Sequence, residues 1–242
     1  DSSLVLLVTA GLVLAGVVKG ATGLGYASSA LPFLVFAVGL RHAMALVLLP
    51  AVATNIAVAL GNGHLRETLA RFAPLYIAML PGIALGLWLL VGSNPDNAVL
   101  VLGITIVMYA LFAIAKPSLA LPARLVGPLQ MPVGFLNGVL TGLTGSQVMP
   151  LVPFVMALGL DPSRLVQAIN LGVLLASLVL AAGLVLSGAV GDTMLIVSLV
   201  AVLPALVGVE IGQRLRPMIP AEHFRSVVLI VLLVSGIGML LR

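Results

Sequence analysis

The sequence has no cysteine, which excludes disulfides, thiolate metal sites and cysteine nucleophiles together. Charge is almost as scarce. Asp, Glu, Lys and Arg make up 7% of the 242 residues, whereas a water-facing domain carries about 25%. Too few charges remain to coat a globule of this length, so lipid must cover much of the surface. No Gly-rich loop ends in Gly-Lys-Ser/Thr, which removes the usual phosphate cradle for ATP hydrolysis. The three histidines, His42, His64 and His223, sit beside arginines in loops and lack the shared spacing of a metal site. The formal charge is +4, but the basic residues are scattered between apolar segments and form no patch for nucleic acid. Asp1, rather than a basic n-region, precedes the first apolar stretch, so a cleaved signal peptide is not expected there.

What is present is hydrophobic: 62% of residues, with a mean hydropathy of +1.30. Apolar segments fall at 3–18, 24–39, 43–61, 72–91 and 97–115, then at 129–142, 147–160, 165–190, 193–213 and 224–241. They are continuously apolar and lack the alternation of a membrane barrel, so helices are expected. The first two segments of each half are short, roughly 14–16 residues against the ~20 of a comfortable crossing. A polar, Pro-containing stretch at 116–128 separates the halves, dividing the chain into 1–115 and 129–242.

The halves echo each other. Gly16-x-x-x-Gly20-Ala21-Thr22-Gly23 recurs as Gly138-x-x-x-Gly142-Leu143-Thr144-Gly145. Pro32-Phe33 recurs as Pro153-Phe154, Gly39-Leu40 as Gly159-Leu160, and Gly82-x-x-x-Gly86 as Gly208-x-x-x-Gly212. Four matches in one order, in segments of the same rank, point to an internal duplication. Basic residues orient it. If the first two segments of each half form a Gly-interrupted hairpin, one side holds Arg66, Arg71, Lys116, Arg124, Arg164, Arg214, Arg216 and Arg225. The other then holds Arg41 and Arg242, so the count is eight against two. If each pair crosses once as a broken helix, the count is five against five. Cytoplasmic loops are enriched in Lys and Arg, which favours the hairpin and makes the two repeats inverted. The inter-repeat loop is then cytoplasmic and both termini lie outside, the pattern of a multi-pass protein of a bacterial inner (plasma) membrane. Inverted repeats that meet at broken helices are a recurrent plan for secondary transporters.

The candidate site lies at the two breaks. Lys19, Gly20, Thr22, Gly23 and Gly25 belong to the first, and Thr141, Thr144, Gly145, Ser146 and Gln147 to the second. Glycines let the chain leave helical geometry, and the half-helix that follows presents N–H groups suited to an anion. The competing reading of these glycines is close helix packing. Lys19 stands between apolar runs, where a charge is costly and usually functional, although snorkelling to an interface would also explain it. Asn55 and Asn170 lie one segment after each break and are expected either to line the anion site or to glue helices. Pro50 is expected to kink its helix and free a carbonyl. Glu210, a turn from Arg214, reads as a surface ion pair or as a proton-coupling carboxylate.

At these residues the chain resembles the TauE/SafE sulfite exporter family, also called the 4-toluene sulfonate uptake permease family. The Gly-rich break leading to Leu31-Pro32-Phe33-Leu34 carries the resemblance, with its echo from Thr141 to Pro153 and the paired Gly-x-x-x-Gly helices. Many members have adjacent glycines in each break, where this chain has Gly-x-Thr-Gly variants and carries Lys19. The resemblance implies transport of sulfite, sulfonates or related organosulfur anions without ATP. The expectation is therefore an all-α secondary transporter, with a channel for a small anion or neutral solute as the alternative. An intramembrane enzyme lacks the nucleophile or base pair it would need. No cofactor, metal or catalytic residue is expected. The expected partners are a small anion, the lipid bilayer and a coupling proton or ion, with a homodimer left open.

Overall fold

The computed structural model describes residues 2–23, 25–61, 63–92, 94–115, 120–188, 190–215 and 221–241, and these residues form ten helices. In the first half they are α1 (Ser2–Thr22), α2 (Tyr26–Val38), α3 (Leu40–Gly61), α4 (Leu65–Gly92) and α5 (Pro95–Ala115). The second half holds α6 (Ala123–Thr144), α7 (Leu151–Met156), α8 (Pro162–Leu186), α9 (Asp192–Leu215) and α10 (Ala221–Leu240). Five of them (α1, α4, α5, α8 and α9) are long and apolar enough to cross a bilayer. Their outward faces are apolar, with Trp88 71% and Leu203 67% exposed, as lipid contact requires. The interior packs apolar side chains as well and adds buried polar residues, among them Asn137, Thr141, Thr144, Gln167 and Ser198.

Glycine seams organise the helices. Gly16 of α1 meets Gly208 of α9, and Gly20 meets Val209 and Gln213 one turn further along both helices, so the two run parallel. A Cβ on Gly20 would fall onto the carbonyl oxygen of Val209. The second seam is built alike, with Gly82 of α4 on Gly138 of α6 and Gly86 on Val139 and Gly142. Small residues at this spacing bring backbones close enough for dispersion to hold helices together where lipid supplies no hydrophobic drive. α5 crosses α10 antiparallel, with Gly103 against Met239 and Leu240 and Gly236 against Ile106 and Val107.

Side chains from neighbouring helices take up backbone groups, one of them freed by a proline. Pro50 has no N–H for the carbonyl of Leu46, and Ser198 of α9 donates its hydroxyl to that oxygen (3.3 Å). Leu49 N–H in turn donates to Ser198 Oγ (3.2 Å). Tyr76 of α4 donates to the carbonyl of Ala168 in α8 (2.9 Å). At one end Arg41 reaches the carbonyl of Leu90 near the close of α4 (3.2 Å). At the other, Arg164 of α8 pairs with Glu67 of α4 (3.1 Å).

Four boundaries differ from those read in the sequence. α4 begins at Leu65 rather than at 72, running through Arg66, Glu67 and Arg71. α1 continues through Gly16, Lys19 and Gly20 to Thr22, because those glycines are packed on α9 rather than released as a break. α6 begins at Ala123, running through Arg124 and Pro128, residues that interrupt an apolar run without stopping a helix. The segment expected over 147–160 is only the six-residue α7, since Pro150 precedes it and Gly159 turns the chain with φ +61°. Of the residues used to orient the chain, Lys116, Arg216 and Arg242 lie outside the described residues, and so do the side chains of Arg225 and His223.

Substitution separates seam glycines from idle ones. Gly82→Val or Gly138→Val should destabilise the detergent-solubilised protein by about 1–3 kcal/mol or more, the usual cost of overpacking. Gly92→Ala meets nothing within 4 Å and should leave the thermal unfolding temperature unchanged. Equal melting of all three would show that the seams are not tight.

Candidate functional site

Lys19 sits in the last turn of α1 and is 3% exposed. The carbonyl end of a helix favours a cation there. Its Nζ donates to the amide oxygen of Asn55 in α3 (2.7 Å) and to that of Asn170 in α8. Neither amide is free to turn. Asn55 Nδ2 donates to Ala51 O (2.6 Å), and Asn170 Nδ2 to Val166 O (2.9 Å) and to Gly23 O (3.1 Å). The oxygens are thereby fixed toward the lysine, and three helices and the first break are tied to one ammonium. Every carboxylate among the described side chains is exposed, so Lys19 is held by neutral dipoles with no anionic side chain beside it.

The two breaks differ in detail. The first is confined to residues 23–25, with Gly23 at φ +77° and Gly25 at φ +80°. That left-handed geometry is the one glycine adopts without a Cβ penalty. It starts α2 at Tyr26, whose first-turn N–H groups have no intrahelical acceptor by the nature of a helix start. The second break ends α6 at Gly145, φ +76°, with its N–H on Thr141 O (2.8 Å). Its polar groups are largely used within the turn. Thr141 Oγ1 donates to Ser146 O (3.3 Å), Thr144 Oγ1 to Leu140 O (2.7 Å), and Ser146 N–H to Thr144 Oγ1 (3.1 Å). Asn137 Oδ1 takes the N–H of Leu151 (3.4 Å), and Val152 N–H bonds Val148 O.

A cavity of about 20 Å³ lies where these parts converge, lined by Lys19, Gly25, Tyr26, Asn55, Gln147 and Asn170, with Ser28 and Tyr109 at its wall. By that measure it holds about one water molecule. A wider cavity of about 210 Å³ shares Gly25, Ser28, Tyr109 and Val152 with it and continues to Thr22, Leu165 and Val228. Leu165 adjoins Arg164, so the wider cavity lies toward the end that carries the Glu67–Arg164 pair.

The structure thus brings Lys19, Gly25, Asn55, Gln147 and Asn170 to one cavity, and Gly23 supports it through its carbonyl. It does not bring Gly20, Thr141, Thr144, Gly145 or Ser146 there. Gly20 packs on α9, and the threonine hydroxyls bond the backbone of their own segments. Thr22 bonds Val18 O (2.8 Å) and lines the wider cavity. Glu210 is exposed and pairs with Arg214 (2.8 Å) on α9, without lining either cavity. Sequence reasoning missed Tyr26, Ser28, Tyr109 and Ser177, the last of which accepts from Gln147 Nε2 (3.0 Å). Tyr26 and Ser28 could have been found as polar residues in the first turn after the Gly23-Leu24-Gly25 break. Ser177 and Tyr109 carried no such signal.

At the mouth of α8, Asp161 caps the helix by accepting the Arg164 N–H (3.1 Å) and pairs with the Arg164 guanidinium (3.0 Å). The backbone hydrogen bond, more than the nearby charge, holds its carboxyl below the ordinary value. A depressed carboxyl stabilises the fold above its unfolded pKa, and the contribution is lost as pH falls through the folded one. Amide exchange at Arg164 and Leu165 should therefore accelerate below about pH 4. Asp161→Asn, which keeps a capping oxygen, should flatten that pH dependence, and an unchanged profile would show that another group controls this end.

Comparison with known families matches residues 8–239 to the family described as Sulfite exporter TauE/SafE. No curated protein and no solved structure matches.

Proposed function

From the premise that this chain belongs to the TauE/SafE sulfite exporter family, whose members are membrane transporters and not enzymes, we propose that it carries a small sulfur oxyanion past Lys19 by alternating access. The observation that carries the proposal is the buried ammonium held, among the described side chains, by the amide oxygens of Asn55 and Asn170. An ion paired with nothing but neutral dipoles in a low-dielectric interior has an unused capacity for an anion. Sulfite or a small sulfonate supplies the missing charge, and its oxygens take up N–H groups of Lys19 and of the first turn of α2. Asn55, Gln147 and Asn170 form the walls. The cavity has room for about one water, so the anion enters by displacing the amide oxygens from Lys19.

Two inverted repeats account for the access change. Each half gives its first helix to the fourth helix of the other, α1 to α9 and α6 to α4, and both seams run parallel. Exchanging the halves leaves this pairing unchanged, which supports a two-fold relation. The Glu67–Arg164 contact joins the starts of α4 and α8, whereas Arg41 and Leu90 join the start of α3 to the end of α4. This supports opposite chain directions for α3 and α8, the equivalent helices of the two halves. The end bearing Arg66, Arg71, Arg124, Arg164 and Arg214 is the cytoplasmic one. The wider cavity then faces the cytoplasm, and an ion or proton gradient supplies the work.

Binding tests the site. Isothermal titration of the purified protein with sulfite and with methanesulfonate should give saturable binding. Lys19→Met should weaken it at least about 100-fold, as expected for a hydrogen-bonded charge partner, and Glu210→Gln should leave it unaltered. Wild-type affinity in Lys19→Met would remove the proposed site. Topology is tested on the same protein, whose lack of cysteine makes every introduced thiol unique. An impermeant thiol reagent should label His64→Cys and Ala120→Cys from the cytoplasmic face, and Asn94→Cys and Gly191→Cys from the opposite face. Labelling of His64→Cys and Gly191→Cys from one face would rule out the inverted arrangement.

A further inference from the structure

Tyr26 opens α2 immediately after the left-handed Gly25, and it is 2% exposed. Its hydroxyl is buried and has no hydrogen-bond partner among the described residues. Buried hydroxyls are almost always partnered, since taking one out of water unpaired is costly. The protein shows the ordinary solution elsewhere: the Tyr76 hydroxyl is buried too, and it donates to Ala168 O at 2.9 Å. Unpaired atoms also occur on Gln130, Asn137 and Ser146, but those residues do not line the cavity beside Lys19, and Tyr26 does.

We infer that the Tyr26 hydroxyl is a binding donor for the transported anion, placed to meet one of its oxygens while Lys19 meets another. The inference rests on the reading of the Lys19 cavity as an anion site. A phenolic O–H is a directional donor on a stiff side chain, fixed here at the start of a helix. Lys19 supplies charge through a flexible stem, so the two do different work. The ammonium attracts any small anion, and the hydroxyl adds affinity only for an anion whose oxygen lies at the right distance from Nζ. The donor set around the cavity then comprises Lys19 Nζ, the Tyr26 hydroxyl, the Gln147 amide and the first-turn N–H groups of α2. Such a set matches an oxyanion with at least two unprotonated oxygens. An orphaned hydroxyl in the empty protein is the cost of that selectivity, and it disappears when the anion is bound.

Tyr26→Phe keeps the ring and deletes the hydroxyl alone. Titrated with sulfite in the intact purified protein, it should bind about 10- to 100-fold more weakly than wild type, the usual effect of a hydrogen bond to a charged group. Its melting temperature without sulfite should be equal to or above that of wild type, because an unpaired hydroxyl has left the interior. A lower melting temperature would overturn the inference, since it would mean that the hydroxyl already has a partner in the empty protein. Wild-type sulfite affinity in Tyr26→Phe, with binding lost in Lys19→Met, would overturn the role of Tyr26 and leave the anion site standing. Wild-type affinity in both variants would remove the anion site itself, and the inference with it.

Discussion

The contact on which the architecture depends is glycine against backbone at two helix seams. In lipid, apolar side chains gain little by leaving the bilayer for one another, so helices stay together through close packing and interior hydrogen bonds. Gly16, Gly20, Gly208 and Gly212 bring α1 onto α9, and Gly82, Gly86, Gly138 and Gly142 bring α4 onto α6. At such approach a single added Cβ would overlap a carbonyl oxygen. The seams fix depth as well as distance, because glycines four residues apart engage in register. Lys19 lies one residue before Gly20, so its burial is set by the seam rather than by its own preference.

Around this frame an apolar outer face encloses an interior of packed apolar side chains with polar groups set among them. Several of those polar groups serve backbone that proline or a break has left unpaired. Ser198 attends the carbonyl left open by Pro50, Asn170 attends Gly23, and Asn137 attends the start of α7. Lys19 and Tyr26 are the exceptions at the cavity. One has a charge with no counter-ion among the described side chains, and the other has a hydroxyl with no partner. Both are donors, and they adjoin the same space. That concentration of unused donor capacity is what separates the site from the structural polar network around it.

Much of this was legible in the sequence because the membrane imposes strong rules. Scarce charge and long apolar runs identified a membrane protein, and the duplicated Gly motifs marked the segments that form the seams without showing which segment meets which. Lys19, Asn55, Gln147 and Asn170 stood out since a polar residue in an apolar run needs a reason, and the structure gathers all four. The threonines did not follow. Thr22, Thr141 and Thr144 sit in the right stretch, but a hydroxyl near a helix end finds a carbonyl of its own segment more readily than a ligand. The extent of α1 was also hidden. Glycine weakens a helix in water, and nothing local shows that Gly16 and Gly20 are supported by residues near 208–213. Tyr26 went unread because a tyrosine beside a break looks like ordinary apolar bulk until its hydroxyl is seen to be alone.

The crossed seams also carry a consequence for biosynthesis. Gly82 and Gly138 stand 56 positions apart in the chain, while Gly16 and Gly208 stand 192 apart. The inner seam can therefore close as soon as α6 has been made. α1 must wait in the bilayer, its glycine face without its eventual partner, until α9 leaves the ribosome. Because Lys19 lies on that waiting helix and needs Asn170 as well, the centre of the molecule is completed only after the inner seam. A nascent chain stopped before α9 would hold most of the scaffold without the seam that sets the depth of Lys19.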